Sequence, residues 1–97
     1  MMGEIQSCIT LLIRTSQNFE AGKATMGQIA MVKAHVSRVA RDVTRTAREM
    51  QGANGMLWEN HAIKHMIDME AGHTGEGTYD VNVLISGREL TGIAAFK

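Results

Sequence analysis

Apolar side chains recur at helical spacing through most of this chain. Ile5, Cys8, Ile9, Leu12 and Phe19 share one face with Ser16, which predicts a first helix ending near Glu20. Ala21-Gly22-Lys23-Ala24 breaks it. Thr25 followed by Gln28 has capping-box spacing and opens a second helix. Its apolar stripe, Ile29, Val32, Val36, Val39, Val43, Ala47 and Met50, is sustained over many turns. Gly52 and Asn54-Gly55 are expected to end it, since both residue types accept the left-handed backbone of a helix stop. A third, shorter helix is predicted from about Trp58 to Glu70, with Ile63, Met66 and Ile67 on one side. Gly72-His73-Thr74-Gly75-Glu76-Gly77 reads as a glycine-rich connection. Thr78 suits an N-cap, with Asp80 in the first turn, where a negative charge is favoured. The last helix carries Val81, Leu84, Ile85, Leu90 and Ile93; Gly87 and Gly92 weaken it but are expected to let another backbone approach. No repeat and no strand pattern is visible. The pattern predicts an all-α fold, an antiparallel bundle of four helices with short connections.

Composition changes this picture little. The absence of proline favours uninterrupted helices, and eight methionines suit a core of adaptable contacts. The formal net charge is zero, which points to neither nucleic acid nor an acidic membrane surface. The longest apolar run, Leu11-Leu12-Ile13, is far too short to span a bilayer, and the N-terminus lacks a signal-peptide pattern. Cys8 is the only cysteine, so neither an intrachain disulfide nor a cysteine-based zinc site can form. One thiol fits a reducing compartment.

Three constellations hold candidate chemistry. Arg38, Arg41, Arg45 and Arg48 line one helical face; without interleaved aromatics they read as a solvated face, with Asp42 able to pair with Arg38 or Arg45. His61 and His65 have the i, i+4 spacing of metal ligands, but Ala62 stands where a metalloprotease motif has Glu, and no metal site is expected. Gly75-Glu76-Gly77-Thr78 sets one carboxylate between glycines just before a helix. Such a loop lets a ligand approach closely, the helix start offers N–H groups, and a carboxylate held against an apolar cleft suits a general base. Taken by spacing alone, the loop reads as an ordinary interhelical connection, in which Glu serves solubility.

Longer motifs alter that balance. Ala47-Arg48-Glu49-Met50-Gln51-Gly52-Ala53-Asn54-Gly55-Met56 resembles the segment with which acyl-CoA dehydrogenases touch the flavin dinucleotide. His61-Ala62-Ile63-Lys64-His65-Met66, Glu70-Ala71, Glu76-Gly77-Thr78-Tyr79-Asp80-Val81 and Gly87-Arg88-Glu89-Leu90-Thr91-Gly92-Ile93-Ala94-Ala95-Phe96 are similar to the closing residues of the same family. The order and spacing fit without a gap from about Met31 to Phe96. The likeness is greatest to the glutaryl-CoA dehydrogenases and the plant short-chain acyl-CoA oxidases, whose ending it shares. It implies that residues 1–97 are a single partial domain, part of the C-terminal four-helix domain, about the last quarter of the family's length.

That resemblance implies α,β-dehydrogenation of an acyl-CoA thioester, with FAD held by the complete enzyme rather than by this chain alone. It makes Glu76 the base that takes the α-proton, and the Glu76 backbone N–H a donor to the thioester carbonyl. It makes Gly77 a substrate contact. Thr78, Tyr79, Asp80 and Phe96 become flavin contacts, and Glu49, Met50, Gln51, Gly52 and Ala53 reach the dinucleotide of a neighbouring subunit. The implied substrate is glutaryl-CoA, with decarboxylation, or a short-chain acyl-CoA. The implied acceptor is an electron-transfer flavoprotein or oxygen. A homo-oligomer in a bacterial cytoplasm or a mitochondrial matrix is expected.

Three positions depart from the family pattern. Gly75 replaces a usual tyrosine, which removes an aromatic wall from the acyl pocket. Ala53 replaces one of a pair of glycines, and Gln51 replaces a common apolar residue. The competing reading is a non-enzymatic helical remnant that serves as an oligomerisation or binding module.

Overall fold

The computed structural model describes residues 1–96. Helix α1 spans Met2–Glu20, α2 Met26–Met50, α3 Ala62–Thr74 and α4 Tyr79–Thr91; 3₁₀ turns at Gly52–Met56 and Trp58–Asn60 join α2 to α3. All regular structure among the described residues is helical, and none of its helices is long and apolar enough to cross a membrane.

The capping signals work as their chemistry requires. Thr25 Oγ1 accepts from the Gln28 N–H at 3.2 Å, and Gln28 Oε1 accepts from the Thr25 N–H at 3.1 Å. Thr78 Oγ1 accepts from the Val81 N–H at 3.3 Å and starts α4. Gly92, at φ +75°, ends α4 in the left-handed conformation that glycine adopts without a Cβ penalty.

Several expected boundaries move. The third helix begins at Ala62, not Trp58, because Leu57 is extended and His61 turns left-handed (φ 61°). It continues through Gly72-His73-Thr74, and the Gly75 N–H still donates to the Ala71 carbonyl at 2.8 Å. Ile93 lies beyond the end of α4. Of the residues expected to turn left-handed after α2, Gly52 does so; Asn54 and Gly55 do not. Gly55 matters for space instead, since a Cβ there would overlap the Arg48 carbonyl oxygen. Gly87 meets no close backbone among the described residues, whereas Gly27 sits directly against the Glu89 carboxylate.

The apolar stripe of α2 makes it the centre of the fold, and the other three helices run antiparallel along it. Ile5, Cys8 and Leu12 of α1 share an apolar cleft with Val36, Val39 and Val43. Helix α3 follows the C-terminal half of α2, where the Arg41 Nε donates to Glu70 at 2.6 Å. Helix α4 follows the N-terminal half. There Glu89 accepts from the Thr25 hydroxyl at 2.5 Å and the Gly27 N–H at 2.8 Å, and the Ser86 hydroxyl donates to the Gly27 carbonyl at 2.8 Å. Glu89 thus satisfies an N-terminal donor of α2 from across the interface. Of the arginine stripe, Arg38, Arg41 and Arg45 are exposed as expected of a surface face, and Arg41, Arg45 and Arg48 pair with Glu70 and Glu49 rather than Asp42.

The core this arrangement closes is thin. Its buried apolar residues are Cys8, Ala30, Val32, Ala34 and Ala62, and no large side chain among the described residues is fully buried. The Cα radius of gyration is 15.8 Å, against about 13 Å for a compact domain of this length.

Candidate functional site

The handover from α3 to α4 places residues 75–78 over the middle of α2. Gly75 is extended (φ −68°, ψ 158°). Glu76 and Gly77 then take φ values of +55° and +90°. Left-handed backbone is ordinary for glycine, but for a glutamate it costs on the order of 1–3 kcal/mol and persists only where the surroundings hold it. Two side chains hold this loop. Lys33 Nζ, from α2, donates to the Gly77 carbonyl at 2.7 Å and to the His73 carbonyl at 3.3 Å. Asn82 Nδ2, buried in the first turns of α4, donates to the carbonyls of Gly77 at 2.9 Å and Thr78 at 3.0 Å. A side chain at position 77 would press on Asn82 Nδ2 as well as strain the backbone.

Around that loop, His73 stacks on Tyr79 with ring centroids 5.9 Å apart, and its Nδ1 shares a hydrogen bond of 3.3 Å with the Ser37 hydroxyl. Among the described residues, the main-chain N–H groups of Glu76 and Gly77 meet no acceptor. They stand next to the open N–H groups at the start of α4. The Glu76 side chain is exposed, so this chain does not itself supply the apolar cleft expected around the carboxylate.

The expected site residues fall into three groups along the long axis. Glu76, Gly77, Thr78, Tyr79 and Asp80 form one, at the centre. Glu49, Met50, Gln51, Gly52 and Ala53 are all exposed at the C-terminal end of α2. Tyr79 borders a cleft with Arg38, which leaves about 20 Å of helix between it and Gln51, at about 1.5 Å per residue. Phe96 is exposed beyond the far end of α4, about 18 Å of helix from Tyr79 at the same rise. No single surface among the described residues therefore unites all eleven. His61 and His65, on the other side of α3's start, are exposed.

An apolar groove of about 710 Å³ runs between α1, α2 and α3, walled by Leu12, Phe19, Ile29, Val36 and Met69, and reaches the loop's supports Lys33, Ser37 and His73.

Lys33, Asn82, Ser86 and Glu89 were not evident as site or interface residues from motif spacing. Lys33 does carry a signal: it sits between Ile29 and Val36, inside the apolar stripe of α2, where a lysine is out of place unless its ammonium has acceptors.

Residues 1–91 match the family model for the acyl-CoA dehydrogenase C-terminal domain. Two solved structures superpose closely. A glutaryl-CoA dehydrogenase from Mycobacterium smegmatis is 32% identical with a TM-score of 0.86, covering 92% of this chain and 23% of its own. A glutaryl-CoA dehydrogenase from the same organism in complex with FADH2 is 30% identical with a TM-score of 0.90, covering 97% and 24%. The chain thus spans about a quarter of the length of these proteins.

Proposed function

The chain belongs to the acyl-CoA dehydrogenase family as its C-terminal domain, and on that premise we propose that it supplies the general base of a flavin-dependent acyl-CoA dehydrogenase. The observation that carries this reading is the loop at residues 75–78. It presents one carboxylate, with unpaired N–H groups beside it, in a conformation fixed from two helices. Glu76 takes the α-proton of the acyl-CoA thioester. Its N–H is aimed at the thioester carbonyl, where a fixed donor stabilises the negative charge that develops as the proton leaves.

The chain's exposed donors suit a flavin dinucleotide. At the α4 start Thr78 caps the Val81 N–H, while the Tyr79 and Asp80 N–H groups meet no acceptor among the described residues, a ready place for a polar group. At Gly52 a Cβ would meet nothing, which leaves the turn accessible to a ligand. Thr78, Tyr79 and Asp80 would hold the flavin end, and Phe96 a further part. Glu49 to Ala53, far along α2, would serve the dinucleotide of a neighbouring subunit in a homo-oligomer. When bound, the flavin would supply the acceptor for the two electrons removed from the substrate, before an electron-transfer flavoprotein or oxygen takes them.

Glutaryl-CoA is the first substrate to test, because the structures that superpose on this chain are glutaryl-CoA dehydrogenases. A short-chain acyl-CoA is the second, because the ending Gly87–Phe96 also resembles that of the plant short-chain acyl-CoA oxidases. The complete protein that carries residues 1–97 should be purified with its flavin and mixed anaerobically with glutaryl-CoA or butyryl-CoA. Loss of flavin absorbance with one of them is expected, and carbon dioxide release identifies the decarboxylating case. A protein that holds no flavin, or whose flavin neither thioester bleaches, would overturn the reading in favour of a helical binding module.

A further inference from the structure

We propose that Lys33 is a positioning residue for the base: its ammonium group holds, from α2, the two carbonyls that bracket Glu76. The proposal rests on the reading of Glu76 as the base. Lys33 is half-buried in the apolar stripe of α2, and among the described residues it forms no ion pair. A cation in that setting is tolerated only where it is well hydrogen-bonded. Both of its bonds go to the same loop: 3.3 Å to the His73 carbonyl before Glu76, and 2.7 Å to the Gly77 carbonyl after it.

Helix capping alone does not account for this geometry. The His73 carbonyl lies in the last turn of α3, where a lysine is favourable in any protein. The shorter bond, however, reaches past the helix end to the far side of the glutamate. Asn82 also holds Gly77, but from α4, so its bond ties the loop only to the helix that follows it. Lys33 fastens the same carbonyl to α2, the helix on which the other three α-helices pack. With its two ends pinned to one ammonium, the chain between them cannot relax from the left-handed conformation of Glu76. Without that tie the carboxylate is free to shift, and misplacement of a reacting group by about 1 Å can cost about 10²-fold in rate. The loss should fall on proton removal, not on flavin retention.

The test compares Lys33→Met, Lys33→Arg and Glu76→Gln in the complete protein that carries residues 1–97. Lys33→Met keeps the apolar stem and removes the donors. It should quicken hydrogen–deuterium exchange across residues 75–80 by roughly tenfold, since that segment loses its tie to α2. Flavin content and substrate Kd should hold. Flavin bleaching by substrate should slow by about 10²-fold, with a larger isotope effect from α-deuterated substrate. Lys33→Arg should recover much of both losses. If Lys33→Met does not fold, Lys33→Gln, which can hold one carbonyl but not both, is read by the same measures. Parental exchange and parental bleaching per bound flavin in the Met or Gln variant would overturn the proposal. If instead Glu76→Gln bleaches at the parental rate, the base assignment fails. Exchange across residues 75–80 in the Lys33 variant then shows separately whether Lys33 holds the loop.

Discussion

Gly75 is where the chemistry of single residues is most open to change. Its backbone is extended at φ −68°, a conformation any residue adopts, and an added Cβ would meet only the Ala71 carbonyl oxygen, at 3.2 Å. A shift of a few tenths of an ångström accommodates it. Gly75→Tyr in the complete protein should therefore leave stability within about 1 kcal/mol. By restoring an aromatic wall it should tighten acyl-CoA binding by about tenfold. Calorimetric titration with the preferred thioester measures the change; unchanged affinity would mean that position 75 does not face the acyl chain. At this scale much of the site was legible. The Gly-Glu-Gly-Thr order marked the loop, and Thr78 as a cap followed from its hydroxyl. The left-handed Glu76 was not legible, because nothing in a glutamate favours that conformation. The loop that carries it is held by Lys33, which is distant in sequence, together with Asn82.

At the scale of elements, apolar periodicity and capping chemistry located all four helices, and misjudged the ends where tertiary contacts intervene. Gly72 within α3 looked like a break. The helix passes through it and ends only at Thr74, with Lys33 donating to the His73 carbonyl. The turn after α2 looked like a run of left-handed residues. Its Gly55 is required instead by the close passage of the Arg48 carbonyl. Gly55→Ala should accordingly destabilise the protein by about 1–3 kcal/mol, because the clash is with helix backbone that cannot rotate away. A lowered thermal midpoint with an otherwise helical circular dichroism spectrum is expected; an unchanged midpoint would show that the turn yields freely.

The molecule as a whole spreads its helices around α2 over 48 × 29 × 17 Å and leaves large apolar side chains such as Phe19, Trp58, Leu90 and Ile93 more than half exposed. Exposed apolar surface on that scale calls for partner surfaces. A chain spanning about a quarter of its structural relatives fits that need. On the proposed reading, the three groups of expected site residues, strung out along the long axis, would be pieces of a site completed by other protein surfaces. Sequence motifs could name those pieces but not their separation, which is set by how far α4 and α3 each reach along α2. The central claim is that this domain contributes a base, and that the base is Glu76. Rapid anaerobic mixing of substrate with the flavin-loaded Glu76→Gln and Thr78→Val variants tests it. The amide keeps the carboxylate's shape but cannot accept the α-proton. Glu76→Gln should therefore retain its flavin and bleach about 10²–10⁴-fold more slowly. Thr78→Val, which loses a cap and a flavin contact, should lose flavin first. Bleaching of Glu76→Gln at the parental rate would contradict the account.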